Sequence, residues 1–158
     1  MTKQRDGELD GGLRQLNQFL TYRVSRLHAK LNAQASRILN KSVGITLNQW
    51  RMIAFIGGAG KLTASELIAA TAMDKGLVSR NVKSLIASGL VISSPSERDN
   101  RVQVLSLTPR GKHVFEVALP RMQRRQDDLQ LALSADEIAT FRSVVDKLER
   151  AAEKMDEI

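Results

Sequence analysis

The chain has 158 residues, with 24 Lys and Arg against 17 Asp and Glu, a formal charge of +7. That is about one domain's worth of chain, long enough for a hydrophobic core, and its basic balance suits an anionic partner such as nucleic acid or an acidic membrane face. With no cysteine, a disulfide framework, a thiolate nucleophile and a thiol switch are excluded.

The opening stretch MTKQRDGELDGG is charged and Gly-rich. It reads as a loose tail rather than a signal peptide, and no apolar run approaches the roughly 18 residues needed to span a bilayer, so a cytoplasmic protein without membrane contact is expected. Charge is also segregated: no Asp or Glu occurs from Gly11 to Ser65, where Arg14, Arg23, Arg26, Lys30, Arg37, Lys41, Arg51 and Lys61 fall. The C-terminal part is rich in acids, among them Asp127, Asp128, Asp136, Glu137, Asp146, Glu149 and Glu153.

From Leu13 the apolar positions Leu13, Leu16, Leu20, Val24, Leu27, Leu31, Ala35 and Ile38 recur at steps of three and four, which predicts one long amphipathic helix ending near NKSVG. A second helix opens at a capping box, Thr46 with Gln49, and runs through Trp50, Ile53 and Phe55 to GGAG. A third opens at another, Thr63 with Glu66, and carries Leu67 and Ile68. The fourth has Asp74 as N-cap and Val78, Val82, Leu85 and Ile86 as its core stripe, ending at Gly89. Two short helices this close form a helix-turn-helix candidate.

The period then changes. GLVIS and VQVLSL read as two strands of a hairpin whose tip is the polar run Pro-Ser-Glu-Arg-Asp-Asn. A helix comes next at TPRG, capped by Thr108, and meets Pro120, where a kink is expected. The last helix starts at the capping box in SADE and is expected to bury Ile138, Phe141, Val145, Leu148 and Met155.

Helix, turn, helix and hairpin in that order make a winged helix, mainly α with a small β wing, which places one helix in the major groove of DNA. On the fourth helix Gly76, Arg80, Lys83 and Ala87 gather opposite the apolar stripe, flanked by Ser79, with no acid after the cap, and Lys75 in the first turn is a further candidate contact to DNA. Arg80 suits a bidentate contact to a guanine edge, worth roughly 1–3 kcal/mol of discrimination. At the tip, Arg98 and Arg101 suit the negative potential of an A/T-rich minor groove, and Asp99 is expected to pair with a neighbouring Arg and shape the loop. Taken alone, each of these surfaces is also what an ordinary solvated helix or hairpin tip would look like.

The segments TLNQWRMIAFI, TASELIAATAMDKGLVSRNVKSLIASGLV, SERDNRVQVLSLTPRG and LSADEIATF resemble, in order, the MarR family of bacterial winged-helix transcription regulators. The resemblance covers nearly the whole chain and is most specific in MDKGLVSR, in the Asp99-x-Arg101 pattern and in LTPRG. It implies a tail over 1–12, an N-terminal dimerisation helix over 13–45, a DNA-binding domain over 46–108 and C-terminal dimerisation helices over 109–158. It also implies Ser79 and Arg80 in the major groove, Arg101 in the minor groove and Asp99 supporting the wing, with Thr63 and Ser65 placed to contact phosphate.

The function this resemblance implies is that of a homodimeric repressor of a pseudo-palindromic double-stranded operator, released by a small aromatic, carboxylate or acyl-thioester ligand bound near Tyr22, Arg26, Trp50 and Arg51. A Trp at the position of Trp50 is more often simply core. A ligand-independent regulator acting by competition and a winged-helix protein-interaction module remain alternatives. No cofactor or metal site is expected, since His28 and His113 are the only histidines and neither has a second strong ligand at helical spacing. Enzymatic activity is not expected either, for want of a nucleophile, a phosphate-binding Gly motif or a convergent acid pair.

Overall fold

The computed structural model describes residues 17–71, 73–96, 99 and 101–155. The expected tail over 1–12, Leu13, Leu16, Arg98 and the side chain of Met155 therefore lie outside the described residues. Within them the order is α1 (Leu20–Val43), α2 (Leu47–Ala59), β1 (Lys61–Thr63), α3 (Ala64–Thr71), α4 (Lys75–Ala87), β2 (Val91–Pro95), β3 (Gln103–Leu107), α5 (Pro109–Leu131) and α6 (Ala135–Met155). No described helix is long and apolar enough to cross a membrane.

The helix starts are set by local side-chain chemistry. At α2 the Thr46 amide donates to Gln49 Oε1 at 2.9 Å and the Gln49 amide to Thr46 Oγ1 at 3.2 Å, so two amides without helical acceptors are satisfied reciprocally. At α3 the Thr63 amide and hydroxyl both donate to Glu66 Oε2, at 2.7 and 2.8 Å, and the Glu66 amide returns to Thr63 Oγ1 at 3.2 Å. At α6 the Ser134 amide donates to Glu137 Oε2 at 2.8 Å and the Glu137 amide to Ser134 Oγ at 3.3 Å.

The chain divides into two compact units, the first ending at Ala118 and the second starting at Leu119. In the first, Ala35 and Leu39 of α1, Trp50, Met52, Ile53 and Ile56 of α2, Leu67 of α3, Val78 and Leu85 of α4, Leu90, Val91, Leu105 and Leu107 of the sheet region and Val114 and Ala118 of α5 are buried together with Ile45. Trp50 stacks on Phe115 with ring centroids 6.1 Å apart, and Phe115 lies where a Cβ on Gly57 would stand, 2.7 Å from its Cδ2. The ring pair joins α2 to α5.

The hairpin is as expected, with Val91 opposite Leu107 and Pro95 opposite Gln103. A third strand was not expected. β1 pairs antiparallel with the other edge of β3, Lys61 opposite Ser106 and Thr63 opposite Val104, giving the order β1-β3-β2. Three residues are too few for an alternating pattern to emerge, and what makes Lys61–Thr63 a strand is the free edge of β3.

Expected core positions prove open on two helices. Ile86 is 40% exposed, because it lies well to one side of the line through Val78 and Leu85 on α4. On α6, Phe141 is 55% and Leu148 36% exposed, with Ile138 and Val145 only half-buried. The expected burial of that stripe does not occur within one chain, since the second unit offers no second layer to cover it. α5 runs through Pro120 as one helix, although the ring removes the amide that would donate to the Glu116 carbonyl.

The capping boxes tie stability to pH. Hydrogen bonds from the Thr63 backbone and then its hydroxyl hold the Glu66 carboxyl below the ordinary value, and the Ser134 backbone and hydroxyl do the same for Glu137. A carboxyl lowered on folding stabilises above its unfolded pKa, and that contribution disappears as pH falls through the folded value. Melting scans down through the carboxylate range are expected to show a larger drop in Tm for the native chain than for the Glu66→Gln/Glu137→Gln double variant. Parallel drops would contradict the assignment.

Candidate nucleic-acid interface

α4 is the element on which the interface is built. Asp74 caps it, accepting from the Leu77 amide at 2.9 Å, and Val78 and Leu85 anchor it in the core. Gln49 Nε2 of α2 donates to Ser84 Oγ at 3.2 Å, holding the helix from a second side. On the opposite face Arg80, Lys83 and Ala87 are exposed and Gly76 is half-buried, with Ser79 exposed at its edge and Lys75 exposed in the first turn. This surface is cationic and low in profile, suited to phosphates and base edges.

The absence of a side chain at Gly76 has a local consequence. A Cβ there would stand 3.0 Å from Asp74 Oδ1 and 3.5 Å from Arg80 Nη1. The missing side chain thus leaves room for the cap and for the Arg80 guanidinium, which leans back toward the helix N-terminus as helical side chains do.

The wing is shaped by Asp99 through backbone bonds, and the expected pairing with an Arg is not made by Arg101, while Arg98 lies outside the described residues. Its carboxylate accepts from the backbone amide of Arg101 at 2.9 Å, its carbonyl accepts from the Val102 amide at 2.9 Å, and the Ser96 amide donates to the Val102 carbonyl at 2.8 Å. A short Asp side chain reaches an amide two residues on more directly than it reaches a long, mobile guanidinium. Among the described residues no carboxylate holds the Arg101 side chain, which is exposed.

A network that the sequence reading missed joins α4 to the wing. After α4 the chain reverses through Gly89, at φ +69°, with the Gly89 amide bonded to the Ile86 carbonyl and the Leu90 amide to the Leu85 carbonyl, both at 2.9 Å. The next three carbonyls are then taken by one segment. Arg110 Nη1 donates to the Ser88 carbonyl at 3.2 Å, the Thr108 hydroxyl to that of Gly89 at 2.6 Å, and the Thr108 amide to that of Leu90 at 3.1 Å. Thr108 Oγ1 also accepts from the Gly111 amide at 3.0 Å, capping α5. Gly111 permits this approach, since a Cβ there would lie 2.0 Å from the Leu90 oxygen.

Of the two proposed phosphate contacts, Ser65 is exposed, whereas the Thr63 hydroxyl is already engaged as donor and acceptor in its capping box. The four residues proposed for a ligand are not equivalent. Trp50 is 6% exposed and stacked in the core, and Arg51 is half-buried with Nη1 3.5 Å from Asn48 Oδ1. Tyr22 is 45% exposed on α1, and Arg26 lines an open groove of about 820 Å³ along that helix with Arg23, Val24, Leu27 and Lys30. Among the described residues no group of His, Asp or Glu is arranged to hold a metal ion.

Residues 43–101 match a family model described as MarR family. The chain is 30% identical over 129 residues to the multiple antibiotic resistance protein MarR of Salmonella typhimurium, covering 79% of this chain and 90% of that protein. It is similar in structure to a cysteine-to-serine mutant of MarR from E. coli complexed with operator DNA, with a TM-score of 0.67 and 27% identity over 84% of this chain and 96% of that one. A MarR/EmrR family transcriptional regulator from Acinetobacter shares the fold, with a TM-score of 0.77 at 23% identity over 88% and 98% of the two chains.

Gly111→Ala is expected to destabilise the protein by about 1–3 kcal/mol or more, because the new methyl meets backbone that cannot swing aside. Gly58, with nothing within 4 Å of an added Cβ, is the control. Gly58→Ala should leave Tm unchanged or raise it, by about 0.5–1 kcal/mol in stability. Similar Tm shifts for the two variants would count against the close approach.

Proposed function

The chain belongs to the MarR family of DNA-binding transcription regulators, which are not enzymes, and from that premise we propose that it is a homodimeric repressor of a pseudo-palindromic operator, released by a small acidic or aromatic ligand. The carrying observation is the outward face of α4: Ser79, Arg80 and Lys83 exposed around Gly76, with no acid after the cap, beside a wing whose shape Asp99 holds.

In this reading α4 enters the major groove. Arg80 reads a guanine edge, Ser79 lies beside it, and Lys75 and Lys83 meet phosphates along the groove walls. Arg101 enters the neighbouring minor groove, where narrow A/T-rich stretches attract a guanidinium, and Arg98 adds charge at the same tip. Ser65, near the N-terminus of α3, meets phosphate more readily than Thr63, whose hydroxyl proton is already given to Glu66.

The exposed apolar residues of α1 and α6 support dimerisation. Leu20, Val24 and Leu27 on the one, and Phe141, Val144 and Leu148 on the other, are too many and too ordered in spacing to serve as solvated surface. A two-fold dimer would present two copies of α4 to half-sites about one helical turn, roughly 34–36 Å, apart.

A ligand changes DNA affinity only by preferring one spacing of those two helices over the other. An amphiphilic acid seated in the groove at Arg26, beside Val24 and Leu27, would compete with the contacts a second copy makes there and so shift that spacing. The stacked core position of Trp50 makes it a support for α2 rather than an open ligand wall.

Arg80→Ala is expected to relax base preference at one position of each half-site, by about 1–3 kcal/mol of lost discrimination. Arg101→Ala should weaken binding chiefly where the flanks are A/T-rich. Affinities measured on operator variants across a salt series decide this, and unaltered binding by both variants would overturn the assignment. Aromatic acids and acyl thioesters that raise Tm are expected to release DNA, and stabilisation without release would defeat the ligand switch.

A further inference from the structure

The DNA-facing surface leaves one strong charge feature unused. Arg23, Arg26, Lys30, Arg37 and Lys41 of α1 are all exposed, and at about 100° per residue they fall within an arc of about 60° on that helix. The sequence supplies no Asp or Glu between Gly11 and Ser65 to neutralise them.

On α6, Asp146, Glu149 and Glu153 are likewise exposed and share an arc of about 60°, with Arg142 one turn ahead of them. The first three cations and these three acids have the same spacing, i, i+3 and i+7. Each triplet therefore extends about 10 Å along its helix. On α1 the triplet flanks exposed Leu20, Val24 and Leu27, and on α6 it lies beside half-buried Ile138 and Val145, at the edge of the stripe that also carries Phe141, Val144 and Leu148.

We propose that Arg23, Arg26 and Lys30 of one copy pair with Asp146, Glu149 and Glu153 of a second copy, and that this ladder determines which helices meet and in what register. The inference rests on the homodimer reading. Apolar stripes supply most of the association free energy but discriminate poorly between partners and offsets, whereas flanking charges of matched spacing do so, as they do beside the seam of a coiled coil. Two-fold symmetry forms the ladder twice, so exposed pairs that are individually weak act together. A stripe of one sign along α1 would otherwise repel its twin.

The test uses two full-length variants, Arg23→Glu/Arg26→Glu/Lys30→Glu and Asp146→Lys/Glu149→Lys/Glu153→Lys. Each alone places like charges in both ladders, and sedimentation at about 0.1 M salt should show dimerisation weakened at least about tenfold. Mixed in equal amounts, the two should form a heterodimer of near-native affinity, because one ladder re-forms with its signs exchanged and the other is native. At about 1 M salt the differences should shrink. Circular dichroism checks that each variant folds, and the single changes Arg26→Glu and Glu149→Lys, at the centre of each triplet, repeat the test should a triple variant fail to fold.

Folded variants whose mixture does not restore association would overturn the proposal, including the case in which the triplets meet within one chain. Variants that dimerise like the native chain but lose DNA affinity and salt dependence would overturn it in favour of a nucleic-acid contact. A native chain that stays monomeric at every concentration would remove the homodimer reading and the pairing with it.

Discussion

Three carbonyl oxygens left over after α4, those of Ser88, Gly89 and Leu90, have no partners in that helix, and the segment from Thr108 to Gly111 bonds to all of them or packs against them. An unpaired backbone acceptor is costly away from water, which applies to buried Leu90, whereas Ser88 and Gly89 are exposed. Satisfying them from the start of α5 couples the end of α4, the first wing strand and the first turn of α5 into one rigid corner. The angle between α4 and the hairpin is held by this corner.

The same economy governs the wing tip and the cap of α4. The Asp99 and Asp74 carboxylates each accept from a backbone amide, that of Arg101 and that of Leu77. Both acids thus fix the shape of the backbone around them while keeping their own negative charge. Gly76 belongs to this arrangement, because a side chain there would press on the Asp74 carboxylate and crowd Arg80.

Much of the fold was legible from local patterns. The boxes at Thr46, Thr63 and Ser134 and the cap at Asp74 each involve residues three apart, and all form as read. The hairpin was legible because composition and period change together at Gly89. β1 was not, since it exists only against β3, forty or so residues later. Gly111 gave no signal either, because its neighbour, the Leu90 oxygen, lies across the fold. The outward face of α4 was read from helical period alone, whereas the mode by which Asp99 shapes the wing depended on which donor lay within reach.

Helix starts, helix faces, the hairpin and the segregation of charge were determined by the sequence itself, because each arises from contacts a few residues apart or from summed composition. Which apolar stripes are covered was decided only by tertiary structure. Trp50 and Phe141 look alike as periodic aromatic positions, yet one stacks on Phe115 in the core and the other stands open on α6. Burial depends on what the rest of the chain can bring to a face, and periodicity shows only that a face exists.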